Sequence, residues 1–163
     1  MTRFILIALL LFCMAPLSIA SAQTVEITAD GSFEWDREAK TYTVVDKAKV
    51  VHLDYTLTAN KITAHYTENS ESKINIEKII ATGNVRLQAK GDVATSNRAE
   101  YFPKKEVATL NGNVHIISDK NELFGERATL NLKTQVATIS APSNKSKRIR
   151  GIFYVDDNAV LDD

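Results

Sequence analysis

Two copies of one short pattern constrain the fold more than any other feature of the chain. Ala81–Leu87 reads ATGNVRL, and 29 residues later Leu110–Ile116 reads LNGNVHI. In each copy Gly-Asn-Val is followed by residues that alternate between apolar and polar, which is the period of a β-strand with one buried face. The glycine would lie within a strand, where a missing side chain permits a bend, a bulge or close packing of a second backbone.

The match between the two copies continues without a gap. Arg98-Ala99 aligns with Arg127-Ala128, and Val107–Thr109 aligns with Val136–Thr138. A correspondence over a whole unit of this length indicates a structural repeat. The chain is therefore predicted to be a stack of similar β units.

A third, weaker copy is predicted before the first two. Val50 is followed by Ala64 and Tyr66 at the offsets that separate Val85 from Ala99 and Tyr101 in the next copy. The intervening segment 67–78 is rich in Glu, Ser, Asn and Lys, and it is predicted to be a long loop inserted between copies.

The rest of the chain also favours strands over helices. Runs rich in β-branched and aromatic residues include 42–45, 49–53 and 152–155. Turn-forming residues separate such runs, as in Asp30-Gly31 and Lys90-Gly91-Asp92. Many short strands with frequent turns predict an all-β sandwich, barrel or solenoid.

Residues 1–22 have the pattern of a cleaved signal peptide. A positive start at Arg3 precedes the apolar run 4–11, and Ala20-Ser21-Ala22 offers a cleavage site before Gln23. The apolar run is short for a retained membrane anchor, which needs about 20 residues. Lipid attachment at Cys13 is disfavoured because the bulky Phe12 precedes it.

Composition narrows the class of protein. Cys13 is the one cysteine, so the chain from Gln23 onward has no disulfide, and this favours a periplasmic protein with an adequate core. The 20 basic and 20 acidic residues balance, which gives no electrostatic argument for nucleic-acid binding.

No residue pattern indicates catalysis or a resident cofactor. His52, His65 and His115 are scattered singly, without a second ligand at metal spacing, so no metal site is predicted. Four carboxylates lie near Trp35, and a catalytic carboxylate pair of a glycosidase would need such residues. The spacing favours a solvent-exposed hairpin face instead: Asp30, Glu34, Asp36 and Glu38. The protein is not expected to be an enzyme.

The C-terminal region carries a local concentration of basic residues before the apolar run 152–155. Lys147, Arg148 and Arg150 would either protect an exposed sheet edge or contact phosphate or carboxylate groups of a ligand or partner. The acidic tail 156–163 is expected to be frayed.

Period-2 alternation assigns a set of side chains to one inward face. Small and large residues mix on this face, so we expect a tapered and partly open interior. The inward residues are predicted to be Val50, Ala59, Val85, Leu87, Ala94, Val114, Ile116, Leu123, Ala128 and Leu130.

Several short motifs together resemble one known family. The sequence Ile27-Thr28-Ala29-Asp30 near the predicted mature terminus, the repeated Gly-Asn-Val, and Leu57-Thr58-Ala59-Asn60 resemble the OstA-like family of periplasmic lipopolysaccharide-transport proteins, the LptA family. The resemblance covers about residues 24–140. The segment 67–78 and the basic C-terminal strand depart from the family pattern.

The resemblance implies a fold and a function. It implies that residues 23–155 form a twisted two-sheet antiparallel β-jellyroll, open as a V, whose apolar groove receives the lipid A acyl chains of lipopolysaccharide. The predicted inward residues would line that groove. It also implies head-to-tail self-association through edge strands, bridging an inner-membrane-anchored relative and the outer-membrane component of the export machinery.

Two other functions stay open at this stage. The chain could be the membrane-anchored relative that hands lipid to such a bridge. It could also be a structural or carbohydrate-binding β-solenoid of the envelope, which would have a well-filled core.

Overall fold

The computed structural model describes residues 24–141 and 148–155. The predicted signal peptide and its cleavage site, Lys147 and the acidic tail 156–163 lie outside the described residues. The described chain is all-β, with one 3-10 turn at Pro103–Lys105. Its strands are β1 (Val25–Thr28), β2 (Phe33–Asp36), β3 (Thr41–His52), β4 (Tyr55–Glu68), β5 (Ile74–Ala89), β6 (Asp92–Phe102), β7 (Val107–Ser118), β8 (Asn121–Asn131), β9 (Val136–Ser140) and β10 (Arg150–Ile152).

All ten strands belong to one antiparallel sheet in which β3 to β8 pair in sequence order. The two halves of β3 have different outer neighbours, because β1 pairs with its C-terminal part and β2 with its N-terminal part. The two halves of β8 likewise pair with β10 and β9. Four short strands thus form the edges of the sheet, two at each end.

A line of bulges crosses the sheet in strands β3, β5 and β7 and accounts for the repeated Gly-Asn. Gly83 and Asn84 have φ of 78° and 50°, and Gly112 and Asn113 have φ of 80° and 49°. The pairing register shifts at both places. Consecutive left-handed residues turn the strand sharply, and glycine followed by asparagine suits that conformation. We call this line the corner.

The corner divides the sheet into two halves that pack face to face. The β1–β10 half holds the strand segments with Leu87 and Ile116, and the β2–β9 half holds those with Ile79 and Leu110. Side chains of both halves form one apolar cluster, in which Ile79 and Leu110 are fully buried. The hairpin turns of the two halves meet on the side opposite the corner, which we call the open side.

The structure confirms the all-β architecture and corrects the alignment of the first repeat. The first bulge lies at Asp46-Lys47, which occupies the place of Gly83-Asn84 in the next unit. Ala48, and not Val50, is therefore the equivalent of Val85. Because the error is two residues, the inward assignment of Val50 is unaffected, as expected for a strand with period 2.

Two local predictions were wrong. The segment 67–78 is not a long loop, since β4 continues to Glu68 and β5 begins at Ile74, with a tight turn between them stabilised by the side chain of Asn69. The predicted strand 152–155 is instead β10 at Arg150–Ile152, because only those residues pair with β8. No helix in the described ranges is long and apolar enough to cross a membrane.

Candidate functional site

The ten predicted inward side chains lie together on the interior face of the folded sheet. Nine are buried, with exposed fractions from 0% for Ala128 to 8% for Leu130, and Leu123 is partly buried against the same cluster. The outward neighbour Arg86 is exposed, and His115 is partly exposed. Alternation along each strand therefore predicted the faces correctly.

The interior is filled by these side chains along most of its length and opens as two cavities. The first cavity, of about 560 Å³, lies at the end of the molecule formed by β1 and β2. The second, of about 290 Å³, lies between Leu87 and Ile116 on one half and Leu130 and Val136 on the other. Ligand pockets span roughly 300–1,000 Å³, so both cavities are of a size that holds part of an apolar ligand.

Phe33 and Tyr42 line the first cavity. They belong to a cluster with Trp35 and Tyr66, which we call the aromatic wall and which sequence analysis did not identify. The indole Nε1 of Trp35 donates a hydrogen bond of 2.8 Å to the hydroxyl of Tyr66. The ring of Tyr42 stacks on that of Tyr66 at 4.8 Å, and Phe33 lies 5.8 Å from Tyr42. Burial raises the pKa of Tyr42, and the nearby Tyr66 raises it further. The available signal was the two-residue spacing of Phe33 and Trp35 around the polar Glu34, because residues two apart in a strand share one face.

A group of hydrogen-bonded polar side chains crosses the interior at the open side. The Nδ1 atom of His52 and the hydroxyl of Tyr101 share a hydrogen bond of 2.7 Å. The single proton of the Tyr55 hydroxyl is shared between two acceptors, the Glu106 carboxylate and the carbonyl oxygen of Leu132, each 3.2 Å away. We call His52, Tyr55, Tyr101 and Glu106 the clasp, because the first two belong to the β1–β10 half and the other two to the β2–β9 half.

Burial determines the protonation of the clasp. Burial lowers the pKa of His52, against the opposing effect of Glu106, so the imidazole is neutral at pH 7. Burial also raises the pKa of Tyr101 and of Tyr55, so both hydroxyls keep their protons. Within the described ranges no buried side-chain polar atom lacks a partner. The imidazole of His52 and the hydroxyls of Tyr55 and Tyr101 are thus uncharged at pH 7, and each has a hydrogen-bond partner.

The basic residues near the C-terminus lie on the outer surface and not in the interior. The guanidinium of Arg150 stacks on the ring of Phe124 at 4.3 Å, and Phe124 stacks in turn on His115 at 4.3 Å. His115 contacts the Glu122 carboxylate at 2.8 Å. Arg148 is exposed and lines a shallow outer pocket. These contacts attach the short edge strand β10 to β8.

The remaining candidate residues do not converge. Asp30, Glu34 and Glu38 are exposed, and Asp36 accepts a hydrogen bond from the backbone N–H of Ala39 in a turn. In the part of the chain that the structure describes, no three His, Cys, Asp or Glu side chains form a group that could hold a metal ion.

Comparison with known proteins identifies the family. Residues 26–136 match the family described as LptA/(LptD N-terminal domain) LPS transport protein. The chain belongs to this family. It is therefore related to lipopolysaccharide transport proteins and not to enzymes, as the resemblance in its sequence implied.

A solved structure shows the same LptA-like fold. The chain is similar to the crystal structure of LptH from Pseudomonas aeruginosa, the LptA-homologous periplasmic component of the lipopolysaccharide transport device in that organism. The TM-score is 0.70 at 18% sequence identity, over 82% of this chain and 96% of LptH. No curated protein matches the chain.

Proposed function

We propose that this protein binds lipopolysaccharide by its lipid A acyl chains in the interior of the folded sheet and carries it across the periplasm. The observation that supports this is the single apolar interior, lined by both halves of the sheet, which opens as a cavity near each end. Membership of a lipopolysaccharide transport family gives the ligand its identity.

The energetics of an exposed acyl chain explain why such an interior is needed. Each methylene group transferred from water to an apolar environment is stabilised by about 0.8 kcal/mol. An acyl chain of a dozen methylenes would therefore lose on the order of 10 kcal/mol in an aqueous compartment. A protein that shields the chain throughout its passage avoids that loss.

The two ends of the sheet suit assembly into a bridge. Strands β1 and β2 form one pair of edges, and β9 and β10 form the other. Exposed apolar side chains accompany both ends, with Phe33 57% exposed at the first and Val136 57% exposed at the second. Unpaired edges accept strands from another chain, and an end-to-end contact between unlike surfaces does not close, so it propagates.

The proposed partners follow from this geometry and the family. One end would meet an inner-membrane-anchored component of the export machinery and the other an outer-membrane component, with further copies of this chain between them. Arg148 and Arg150 would protect the β8 edge or contact an anionic group of a partner, since both lie outside the interior.

Site-specific photo-crosslinking in cells tests lipid binding. A photoreactive residue at Leu87 or Ile116 should capture lipopolysaccharide, whereas one at the outward positions Arg86 and His115 should not. Capture at the outward positions alone would contradict the proposal. Depletion of the protein in its host should also accumulate lipopolysaccharide at the inner membrane.

The dense packing of the interior supports a second candidate function. Val50, Val85 and Val114 are at most 2% exposed, as expected for a structural or carbohydrate-binding envelope protein with a filled core. Binding of a fluorescent fatty acid would argue against this candidate. N-terminal sequencing that begins at Gln23 would argue against a third, the membrane-anchored relative, which stays uncleaved.

A further inference from the structure

The clasp lies between the two cavities. His52 lines the first cavity, beside Pro103 and Lys104. Tyr55, three residues later in the chain, lines the second cavity beside Leu132. The hydrogen bonds from these two side chains reach Tyr101, Glu106 and the carbonyl of Leu132 on the opposite half. Clasp residues thus border both cavities, so an apolar chain that passed along this border from one cavity to the other would meet these polar contacts.

The clasp also joins the two halves where no covalent connection does. At the corner the halves are continuous through β3 to β8, and the bulges there allow the strands to bend. Away from the corner, the clasp supplies the only side-chain hydrogen bonds between the halves among the described residues. Its members lie at hairpin ends: His52 and Tyr55 flank the turn at Leu53-Asp54, and Tyr101 and Glu106 flank the 3-10 turn.

We propose that the clasp is an internal gate that controls whether one acyl chain can occupy both cavities, an inference that rests on the proposed lipid-binding function. With the gate shut, each cavity holds a short apolar segment that enters from its own end. With the gate open, the two cavities join into one continuous apolar path between the β1–β2 end and the β9–β10 end.

The chemistry of the clasp suits a gate. When it is shut, its hydroxyl, imidazole and carboxylate groups are hydrogen-bonded, and no buried side-chain polar atom in the described ranges lacks a partner. Hairpin ends separate more readily than strand centres, because fewer apolar contacts hold them. Each hydrogen bond of this kind shifts an opening equilibrium by about twofold to tenfold, so the gate is stable yet can open.

The dependence of affinity on chain length tests the gate directly. Saturated fatty acids from octanoate to stearate would be titrated against the full mature chain by displacement of a fluorescent fatty acid. Each added methylene raises affinity by up to about fourfold for as long as it finds apolar surface. A shut gate should end this gain once the chain fills one cavity, and an open gate should let it continue.

Three forms of the protein separate the outcomes. The double variant Tyr55→Phe/Tyr101→Phe removes both hydroxyls and keeps the rings, so the gain should continue to longer chains. Thr43→Val is the control, because it removes a hydroxyl whose hydrogen-bond partner, Thr63, lies in the same half, and neither residue lines a cavity. The double variant His52→Cys/Tyr101→Cys, linked by a short bis-methanethiosulfonate reagent, holds the gate shut until reductant is added.

The results decide between the two proposals. The gate predicts that linked protein loses affinity for long chains only and recovers it after reduction, while short chains bind equally to all forms. Equal chain-length dependence in the linked, reduced and double-Phe forms would overturn the gate but leave lipid binding intact. Failure of every fatty acid to bind the unmodified protein would instead overturn the proposed function. Thermal unfolding of each variant checks that it folds. If the double-Phe variant does not fold, the comparison of linked and reduced protein still tests the gate.

Discussion

Replacing Gly83 by alanine tests whether the corner is built from close packing of a neighbouring side chain as well as from backbone conformation. Gly83 has a φ of 78°, and a Cβ atom added there would lie 2.7 Å from Nδ2 of Asn60 and 3.2 Å from its Cβ. Gly91 offers a matched control, since its φ is 94° and a Cβ atom there would meet nothing within 4 Å.

The expected magnitudes follow from these two environments. A left-handed conformation destabilises a non-glycine residue by about 1–2 kcal/mol, and both substitutions share this effect. Overpacking adds about 1–3 kcal/mol at Gly83 alone. Gly91→Ala should therefore lower the free energy of unfolding by about 1 kcal/mol, and Gly83→Ala by about 3 kcal/mol. For a domain of this size these changes correspond to about 4 and 12 °C in Tm.

Urea and thermal unfolding followed by circular dichroism would measure both values. The double variant Gly83→Ala/Asn60→Ala should recover about 1–2 kcal/mol relative to the sum of the single variants, because it removes the atoms that approach most closely. Equal destabilisation by Gly83→Ala and Gly91→Ala, with no coupling to Asn60, would refute the close-packing argument.

Three further predictions concern the clasp, the core and the aromatic wall. Because the pKa of His52 is lowered on folding, the unfolded chain binds its proton more readily; stability should hold above about pH 6.5 and fall as pH drops below it. The urea midpoint should therefore fall less between pH 7.5 and 5.5 in His52→Asn than in the unmodified protein. An equal fall in the two proteins would contradict the role of His52. Leu110→Ala, at a fully buried position, should lower the free energy of unfolding by about 2–5 kcal/mol, whereas outward Ile117→Ala should lower it far less; similar urea midpoints would contradict the assigned faces. Trp35 is the only tryptophan, and its ring packs against Tyr42, which lines the first cavity. Its emission should therefore shift when lipid enters that cavity, and an unchanged spectrum with lipid bound would contradict occupancy there.

The sequence predicted the faces of the sheet because strand alternation records burial directly. Leu87, Val114 and Ala128 all lie inward, as their period-2 spacing required. The bulges at Gly83-Asn84 and Gly112-Asn113 were also visible in the sequence, because glycine and asparagine adopt left-handed conformations more readily than most residues. These signals are local, and local signals are what a single sequence carries.

The features that sequence analysis missed depend on contacts between distant strands. The polar composition of segment 67–78 predicts a loop, whereas the structure has only a tight turn there, between β4 and β5. The sequence presents His52 as an isolated histidine, yet His52 lies two residues after Val50 and so faces inward as Val50 does. A polar residue on an apolar face was the available signal. Its partner Tyr101 lies 49 residues away in sequence, and nothing in the spacing predicts that pair.

The clasp is made from the residues by which the repeats differ. His52 corresponds to Ala89 and Ser118 in the later units, since each ends the strand before its hairpin turn. Tyr101 corresponds likewise to Ala64 and Leu130. The shared positions build the corner and the apolar face, which any unit of the stack needs. Polar groups that appear once, His52 and Tyr55 in one unit and Tyr101 and Glu106 in the next, can meet at a single place along the interior. A repeated clasp would close the interior at every unit, whereas a single clasp divides it once and leaves a cavity on each side.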